Sequence, residues 1–239
     1  MIFILEIKNL TKTYKKVNKA VDNINIKVQP GDIYGFIGAN GAGKTTTIKC
    51  VVGILNFEDG EIFIDGKSIK ENPIECKKIM AYIPDETNLY ENLKGIEYLD
   101  FVASIYNVEN NKKNELIEKY ANLLEIKDNL SSTISTYSHG MKQKLVIISA
   151  LIHEPKLLIL DEPFVGLDPK STYILKELMK EMCSKGCSIF FSTHVLEVAQ
   201  KLCNKVSIIK SGKIVVEGKI EDIVENKSLE DVFMELINE

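Results

Sequence analysis

Arginine is absent: all thirty basic residues among the 239 are lysine. The chain therefore cannot supply an arginine finger to a phosphoryl-transfer site, in itself or in a second copy of itself. Transition-state charge would have to be met by lysine, a metal ion and backbone N–H groups. Long apolar runs are also absent. No stretch approaches the ~20 apolar residues that span a bilayer, and the first residues lack the charged start and apolar core of a signal peptide. Any membrane role is expected to require a partner. The cysteines, Cys50, Cys76, Cys183, Cys187 and Cys203, are odd in number and sit in stretches that read as buried helix faces or their edges. That fits a reduced, cytosolic compartment rather than a disulfide framework. Cys183 and Cys187 are spaced to share a helix face, but no histidine or second cysteine pair accompanies them, so packing is their expected role and no metal-thiolate site is expected. Internal repeats and low-complexity tracts are missing too. A net charge of −4 and a pI near 5.6 argue against a nonspecific nucleic-acid footprint.

What is present begins with 45% hydrophobic residues, enough for a sizeable core. The chain is organised around GANGAGKTT, residues 38–46, which fits the phosphate-loop pattern G-x-x-x-x-G-K-[ST] at Gly38, Gly43, Lys44 and Thr45. An apolar run, 33–37, precedes it and an amphipathic run, 44–55, follows, so the expected order is strand, loop, helix. The glycines let backbone N–H groups approach phosphate oxygens, and the helix N-terminus adds partial positive charge. Lys44 is expected to reach the β- and γ-phosphates, and the Thr45 hydroxyl to face Mg²⁺.

Strand-like runs occupy 1–8 and 24–28, with Tyr14 between them among lysines, either an amphipathic surface residue or a ring that stacks on a base. EIFI, 61–64, reads as a short strand between two Asp-Gly turns, and 79–83 as an apolar strand ending at Pro84. From about 85 to 154, apolar residues recur every three or four positions, which predicts an inserted helical region. The polar run 109–114 is expected to be a solvated loop between its first two helices. Continuous apolar runs at 156–160 and 188–193, joined by a helix over 169–185, predict buried parallel strands with ligand-binding residues at their carboxyl ends. A hairpin over 206–217 and a short helix over 229–237 are expected to close the chain.

Asp161, after KLLIL, is placed at a buried strand's end, where a carboxylate binds Mg²⁺ directly or through water; Glu162 points elsewhere and can polarise a water. Alone, Asp-Glu-Pro would be a helix start after a strand. The stretch YSHGMKQ, 137–143, is by itself a cap and turn before an apolar helix. The same geometry is an anion site, with the Ser138 hydroxyl, the Gly140 N–H and the helix dipole converging. His139 is expected to be exposed in that turn, and His153 to cap a helix C-terminus.

In order and spacing these motifs resemble the nucleotide-binding subunit of an ABC transporter over nearly the whole chain. GANGAGKT resembles its Walker A motif, YSHGMKQ its signature, LLILDE its Walker B motif with Glu162 as catalytic base, Gly166 to Pro169 its D-loop, and His194 its switch histidine. The signature departs from the commoner LSGGQ at Tyr137, His139 and Met141 but keeps Ser138 and Gly140. YS-x-GMKQ and the ending SLEDVFMEL resemble the exporter branch that handles drugs, antibiotics and polysaccharides. After Pro84, where the family usually carries a glutamine on Mg²⁺, stand Asp85 and Glu86, so either a carboxylate replaces the amide or this loop senses the nucleotide less directly.

The resemblance implies an α/β fold. Its P-loop NTPase core has a mostly parallel sheet and an N-terminal antiparallel β portion over 1–84 and 155–225, with a helical insert over 85–154 and a C-terminal helix over 226–239. It implies ATP and Mg²⁺ as ligands. Tyr14, Gly38, Ala39, Asn40, Gly41, Ala42, Gly43, Lys44, Thr45, Thr46, Ser138 and Gly140 would hold the nucleotide; Thr45, Asp161 and Asp85 the metal; Glu162, His194 and Lys44 would act in hydrolysis. The implied partners are a second ATP-binding subunit, identical or homologous, closing head to tail, and a separate transmembrane permease that holds the chain at the inner face of the membrane; no nucleic acid is expected. A soluble ABC-type ATPase acting on ribosomes or DNA usually carries tandem halves or long coiled coils, which this chain lacks. A small-molecule kinase would leave Ser138, Glu162 and His194 without roles.

Overall fold

The strands of this chain fall into two separate sheets, one antiparallel and one largely parallel. The computed structural model describes residues 3–14, 18–225 and 227–238. In chain order the elements are β1 (Leu5–Tyr14), β2 (Asn18–Val28), β3 (Ile33–Ile37), α1 (Lys44–Val51), β4 (Asp59–Ile64), β5 (Lys67–Ser68), α2 (Pro73–Ile79) and β6 (Met80–Ile83). The insert follows with α3 (Gly95–Ile105), α4 (Asn110–Leu123) and α5 (His139–Leu151). The chain then returns through β7 (Leu157–Asp161), α6 (Pro169–Ser184), β8 (Ser188–Thr193), α7 (Leu196–Leu202), β9 (Lys205–Lys210), β10 (Lys213–Lys219), α8 (Ile220–Val224) and α9 (Leu229–Asn238).

One sheet is antiparallel, in the order β2-β1-β4-β5; the other has the order β10-β9-β3-β8-β7-β6 and is parallel from β9 to β6, with β10 antiparallel at its edge. Parallel strands need crossovers, and the helices that make them cover both faces, which is why β3, β7 and β8 are buried along their whole length. Alternate residues serve two cores. Tyr34, Phe36, Leu157, Ile159 and Phe190 pack with α1 and the antiparallel sheet, whereas Ile37, Leu158, Leu160, Ile189 and Phe191 pack with α5, α6 and the insert. Since β6, β3, β7 and β8 all run one way, the loops leaving Ile83, Ile37, Asp161 and Thr193 emerge at one edge.

The expected insert is helical, but 109–114 is not the loop between its first helices: Asn110 to Asn114 form the first turns of α4. Polar residues there face solvent on a helix whose other side buries Leu116, Ile117 and Tyr120. His153 does not cap a helix carbonyl either. Its Nε2 lies 3.3 Å from the Met80 carbonyl of β6 and its ring stacks on Tyr106 at 3.7 Å, joining insert to core, and burial pushes its pKa down. Cys187 lies beyond the end of α6, so it and Cys183 do not share a helix. Burial pushes the Cys50 and Cys187 thiols up to about 11 and Cys183 up to about 12, which keeps them protonated near neutrality. Met1, Ile2 and the lysines Lys15 and Lys16 after Tyr14 lie outside the described residues.

The insert depends on one close approach. The Tyr137 hydroxyl donates 2.6 Å to the Asn129 carbonyl and lies where a side chain on Gly95, the first residue of α3, would go. Gly95→Ala is expected to lower stability by about 1–3 kcal/mol through overpacking, read as a lower urea midpoint. Tyr137→Phe in the same chain should recover part of the loss, and an unchanged midpoint for Gly95→Ala alone would contradict this packing.

Candidate nucleotide site at the carboxyl edge of the parallel sheet

β3 feeds the loop 38–43, which closes on itself through Ala42 N–H donating to Ala39 O at 3.1 Å, and α1 starts at Lys44. Gly43 has φ +113°, and a Cβ there would run into the Ala20 carbonyl of β2, so only glycine fits by backbone and by space. No side chain caps α1. Its first N–H groups therefore have no capping side chain to accept from them, and an anion in the loop would satisfy them. Thr47 Oγ1 secures the turn by donating to Gly43 O at 2.9 Å.

Lys44 is 6% exposed, and its Nζ donates to the carbonyls of Gly38 at 2.8 Å and Ala39 at 3.3 Å. It also lies 3.3 Å from Glu162 Oε1. That contact is a Coulomb attraction rather than an aligned hydrogen bond, since Glu162 Oε1 is buried and accepts none. Glu162 reaches this position because it leaves β7 with φ 48°, a left-handed turn that a glutamate adopts at a cost and that recurs where function requires it. Its other oxygen, Oε2, is 3.0 Å from His194 Nδ1 and accepts the His194 N–H at 3.4 Å. Glu162 thus bridges the loop lysine and the histidine at the end of β8.

Asp161, fully buried, points the other way from Glu162. Its Oδ1 accepts from Ser192 Oγ at 2.5 Å, and the same Ser192 oxygen accepts the Glu162 N–H at 3.0 Å. Burial raises the Asp161 carboxyl above its ordinary value; the hydroxyls of Ser192 and Thr45 oppose this, while the charges of Asp85 and Glu162 add to it. Its Oδ2 has no partner. Asp85 is exposed and accepts the Glu86 N–H at 2.8 Å, with its charge close enough to act on Asp161.

The remaining expected residues lie further out. Tyr14, at the end of β1, is 42% exposed with Lys12 Nζ 5.6 Å from its ring centre. Its strand end pairs with the start of β2, whose Ala20 abuts Gly43. Ser138 caps α5 by accepting the Met141 N–H at 3.3 Å, and both Ser138 and His139 are exposed. Among the described residues, no side-chain hydrogen bond or ion pair joins 138–144 to the loop 38–46. The stretch is instead tied to the turn at 166–169: His139 lies against Gly166, and Lys144 pairs with Asp168 at 3.3 Å. The Ser171 hydroxyl and N–H, ahead of Lys144, hold the Asp168 carboxyl well below its usual range.

Ser192 was not among the residues singled out by sequence, although a hydroxyl inside the apolar run IFFST, two residues before His194, is a signal that could have found it. It ties Asp161 and the Glu162 backbone to the neighbouring strand. Ser192→Ala is expected to leave two buried groups unsatisfied and to lower stability by about 1–3 kcal/mol. The urea midpoint checks this, and a midpoint equal to wild type would show that Ser192 anchors neither group.

Residues 21–165 match the ABC transporter protein family. The chain is 33% identical over 241 residues to the ABC-type transporter ATP-binding protein EcsA of Bacillus subtilis, covering 99% of this chain and 97% of that one. It is 31% identical over 227 residues to the Nod factor export ATP-binding protein I of Cupriavidus metallidurans, covering 95% of this chain and 75% of the relative. A solved ATP-binding subunit of an ABC transporter superposes with a TM-score of 0.94 at 34% identity, covering 98% of this chain and 99% of that one. With the loop lysine, the buried strand-end aspartate, the glutamate and the histidine at one sheet edge, these similarities give the conclusion that the chain belongs to the ABC transporter family and is an ATP-binding subunit with the ATPase fold and activity of that family.

Proposed function

We propose that this subunit powers export: two ATP-binding chains, two copies or one with a homologous partner, close head to tail on two ATP molecules, and a separate membrane subunit converts closure and reopening into transport. The observation that carries the catalytic part is the Glu162 carboxylate suspended between Lys44 and His194 at the edge where the loop 38–46 opens. The similarity to a Nod factor export protein and the exporter-like YSHGMKQ support the direction. Among the described residues no helix is long and apolar enough to cross a membrane, which fits a subunit held at the inner membrane face by its partner.

In this reading the N–H groups of Gly38, Ala39, Asn40, Gly41, Ala42, Gly43, Thr45 and Thr46 surround the triphosphate, and Tyr14 stacks on the adenine. Lys44 exchanges its contact with Glu162 for the β- and γ-phosphate oxygens. Released from that ion pair, Glu162 takes a proton from a water as the water oxygen bonds to the γ-phosphorus and the bond to the ADP oxygen breaks. His194 holds the γ-phosphate and that water. Ser138, which is exposed, and Gly140, neither of them joined to its own chain's loop by a side-chain hydrogen bond or ion pair among the described residues, serve the nucleotide of the opposite subunit.

Magnesium fits the residues present. Asp161 Oδ2 is a buried carboxylate oxygen without a partner, the Thr45 hydroxyl reaches the same carboxylate, and both are hard oxygen donors. Among the described residues no three acidic, histidine or cysteine side chains form a complete cage, so phosphate oxygens would complete the shell. Thr45 and Asp161 would hold the ion, with Asp85 at its outer side, and the ion would neutralise charge on the phosphates.

The membrane subunit has a candidate seat on the insert beside the loop that follows Asp85. Tyr90, 62% exposed, and Phe101, 44% exposed, meet edge to face at 5.9 Å and form an apolar patch with Leu93. Such a patch on a charged surface suits a partner contact.

Lys44→Ala is expected to abolish ATP hydrolysis with the urea midpoint still that of a folded protein; turnover at the wild-type rate would overturn the site assignment. Glu162→Gln should bind ATP, hydrolyse it at least 100-fold more slowly, and accumulate as a dimer with ATP and Mg²⁺ in size-exclusion chromatography. Fast turnover in that variant would remove Glu162 as the base.

A further inference from the structure

Two buried polar atoms without a partner belong to neighbouring strands at the site's edge: the Tyr82 hydroxyl on β6 and Asp161 Oδ2 on β7. The strands are parallel, and Tyr82 pairs with Ile159. Side chains alternate along a strand, so Tyr82, Ile159 and Asp161 stand on one face. That face is the one covered by α1, since Ile159 packs in the same core as Ile48 and Tyr82 packs against that core. From α1 the Thr45 hydroxyl reaches Asp161, and Asp85, two residues past the end of β6, brings a second carboxylate to the group.

A buried hydroxyl and a buried carboxylate oxygen left unsatisfied each carry a desolvation cost, and native proteins retain such atoms where a water or ion completes them. Packing alone would be served by phenylalanine. Burial, then the charges of Asp161 and Asp85, hold the Tyr82 phenol above its ordinary range, so it remains a hydrogen-bond donor at any physiological pH.

We propose that Tyr82 is a positioning residue for the divalent-cation site: its hydroxyl donates to a water held between Asp161 Oδ2 and Asp85, and through that water it sets the affinity for the cation rather than for the nucleotide. The water would have four partners in Tyr82, Asp161, Asp85 and the cation, within the roughly two to four that a buried water takes. Groups that orient a metal's ligands in this way typically change metal affinity by about 10- to 100-fold when removed. The proposal rests on the reading of Asp161 as the cation-binding carboxylate.

The test uses Mn²⁺ as the probe, with free Mn²⁺ followed by electron paramagnetic resonance in the presence of ADP, on wild type, Tyr82→Phe and Asp161→Asn. ADP affinity in EDTA and the metal-free urea midpoint are measured on the same samples. Tyr82→Phe is expected to weaken Mn²⁺ binding by about 10-fold or more, with metal-free ADP affinity unchanged and the midpoint unchanged or higher. Asp161→Asn should lose more. Wild-type Mn²⁺ affinity in Tyr82→Phe, beside a loss in Asp161→Asn, would overturn the role of Tyr82 alone. A loss of metal-free ADP affinity equal to the Mn²⁺ loss would overturn it as well, by showing a structural effect. Wild-type Mn²⁺ affinity in Asp161→Asn would overturn the metal reading of Asp161 and the proposal with it.

Discussion

The Lys44 ammonium has three oxygens within 3.3 Å, the carbonyls of Gly38 and Ala39 and the Glu162 carboxylate, and almost no water. A buried cation must be paired, because the desolvation cost of leaving it alone amounts to several kcal/mol. The two carbonyls shape the loop, since they turn inward to meet the ammonium. The carboxylate shapes the other half of the site, since Glu162 can reach Lys44 only from the left-handed turn that ends β7, with its backbone held by Ser192. His194 is then placed by the oxygen that Lys44 leaves over. In a chain without arginine this one ammonium is the only cation paired with Glu162 among the described residues, apart from His194 if protonated.

Exchange of partners is the physical basis of the proposed cycle. Lys44 is held by two carbonyls and a carboxylate, and in the proposed cycle a triphosphate would replace them and release the glutamate as a base at the moment substrate is present. The parallel sheet makes this possible by delivering the loop, Asp161–Glu162 and His194 from β3, β7 and β8, which are hydrogen-bonded neighbours. Ser138 and Gly140 lie on the insert and have no such neighbour. Their tie to the turn at 166–169, through His139 on Gly166 and Lys144 on Asp168, gives that stretch a fixed relation to the end of β7 without bringing it to its own loop.

The phosphate loop was legible because its fixed residues answer a backbone demand that little else satisfies, as Gly43 against Ala20 shows. The strands β3 and β8 were legible to the residue, since both are buried along their whole length and carry no charged residue to blur their ends. The antiparallel strands were less so. β1 and β2 extend to Tyr14 and from Asn18 through bulges where Asn9 and Asn23 take positive φ, and these breaks mask the alternation. The start of α4 was missed because a solvent-facing first turn has the composition of a loop, and α2 and α7, at seven residues each, are too short for a helical period to stand out. Ser192 and Tyr82 were hidden for another reason: their significance lies in which strand is next door, and strand order is set by tertiary packing rather than local pattern.

The central claim is that phosphate competes with Glu162 for Lys44. The most direct measurement is calorimetric titration of ADP, without metal, into the wild-type chain and into Glu162→Gln, in the monomer. If Lys44 must give up a carboxylate to take the phosphates, the neutral variant binds ADP several-fold more tightly, each factor of ten corresponding to about 1.4 kcal/mol. Equal or weaker binding by Glu162→Gln would contradict the exchange.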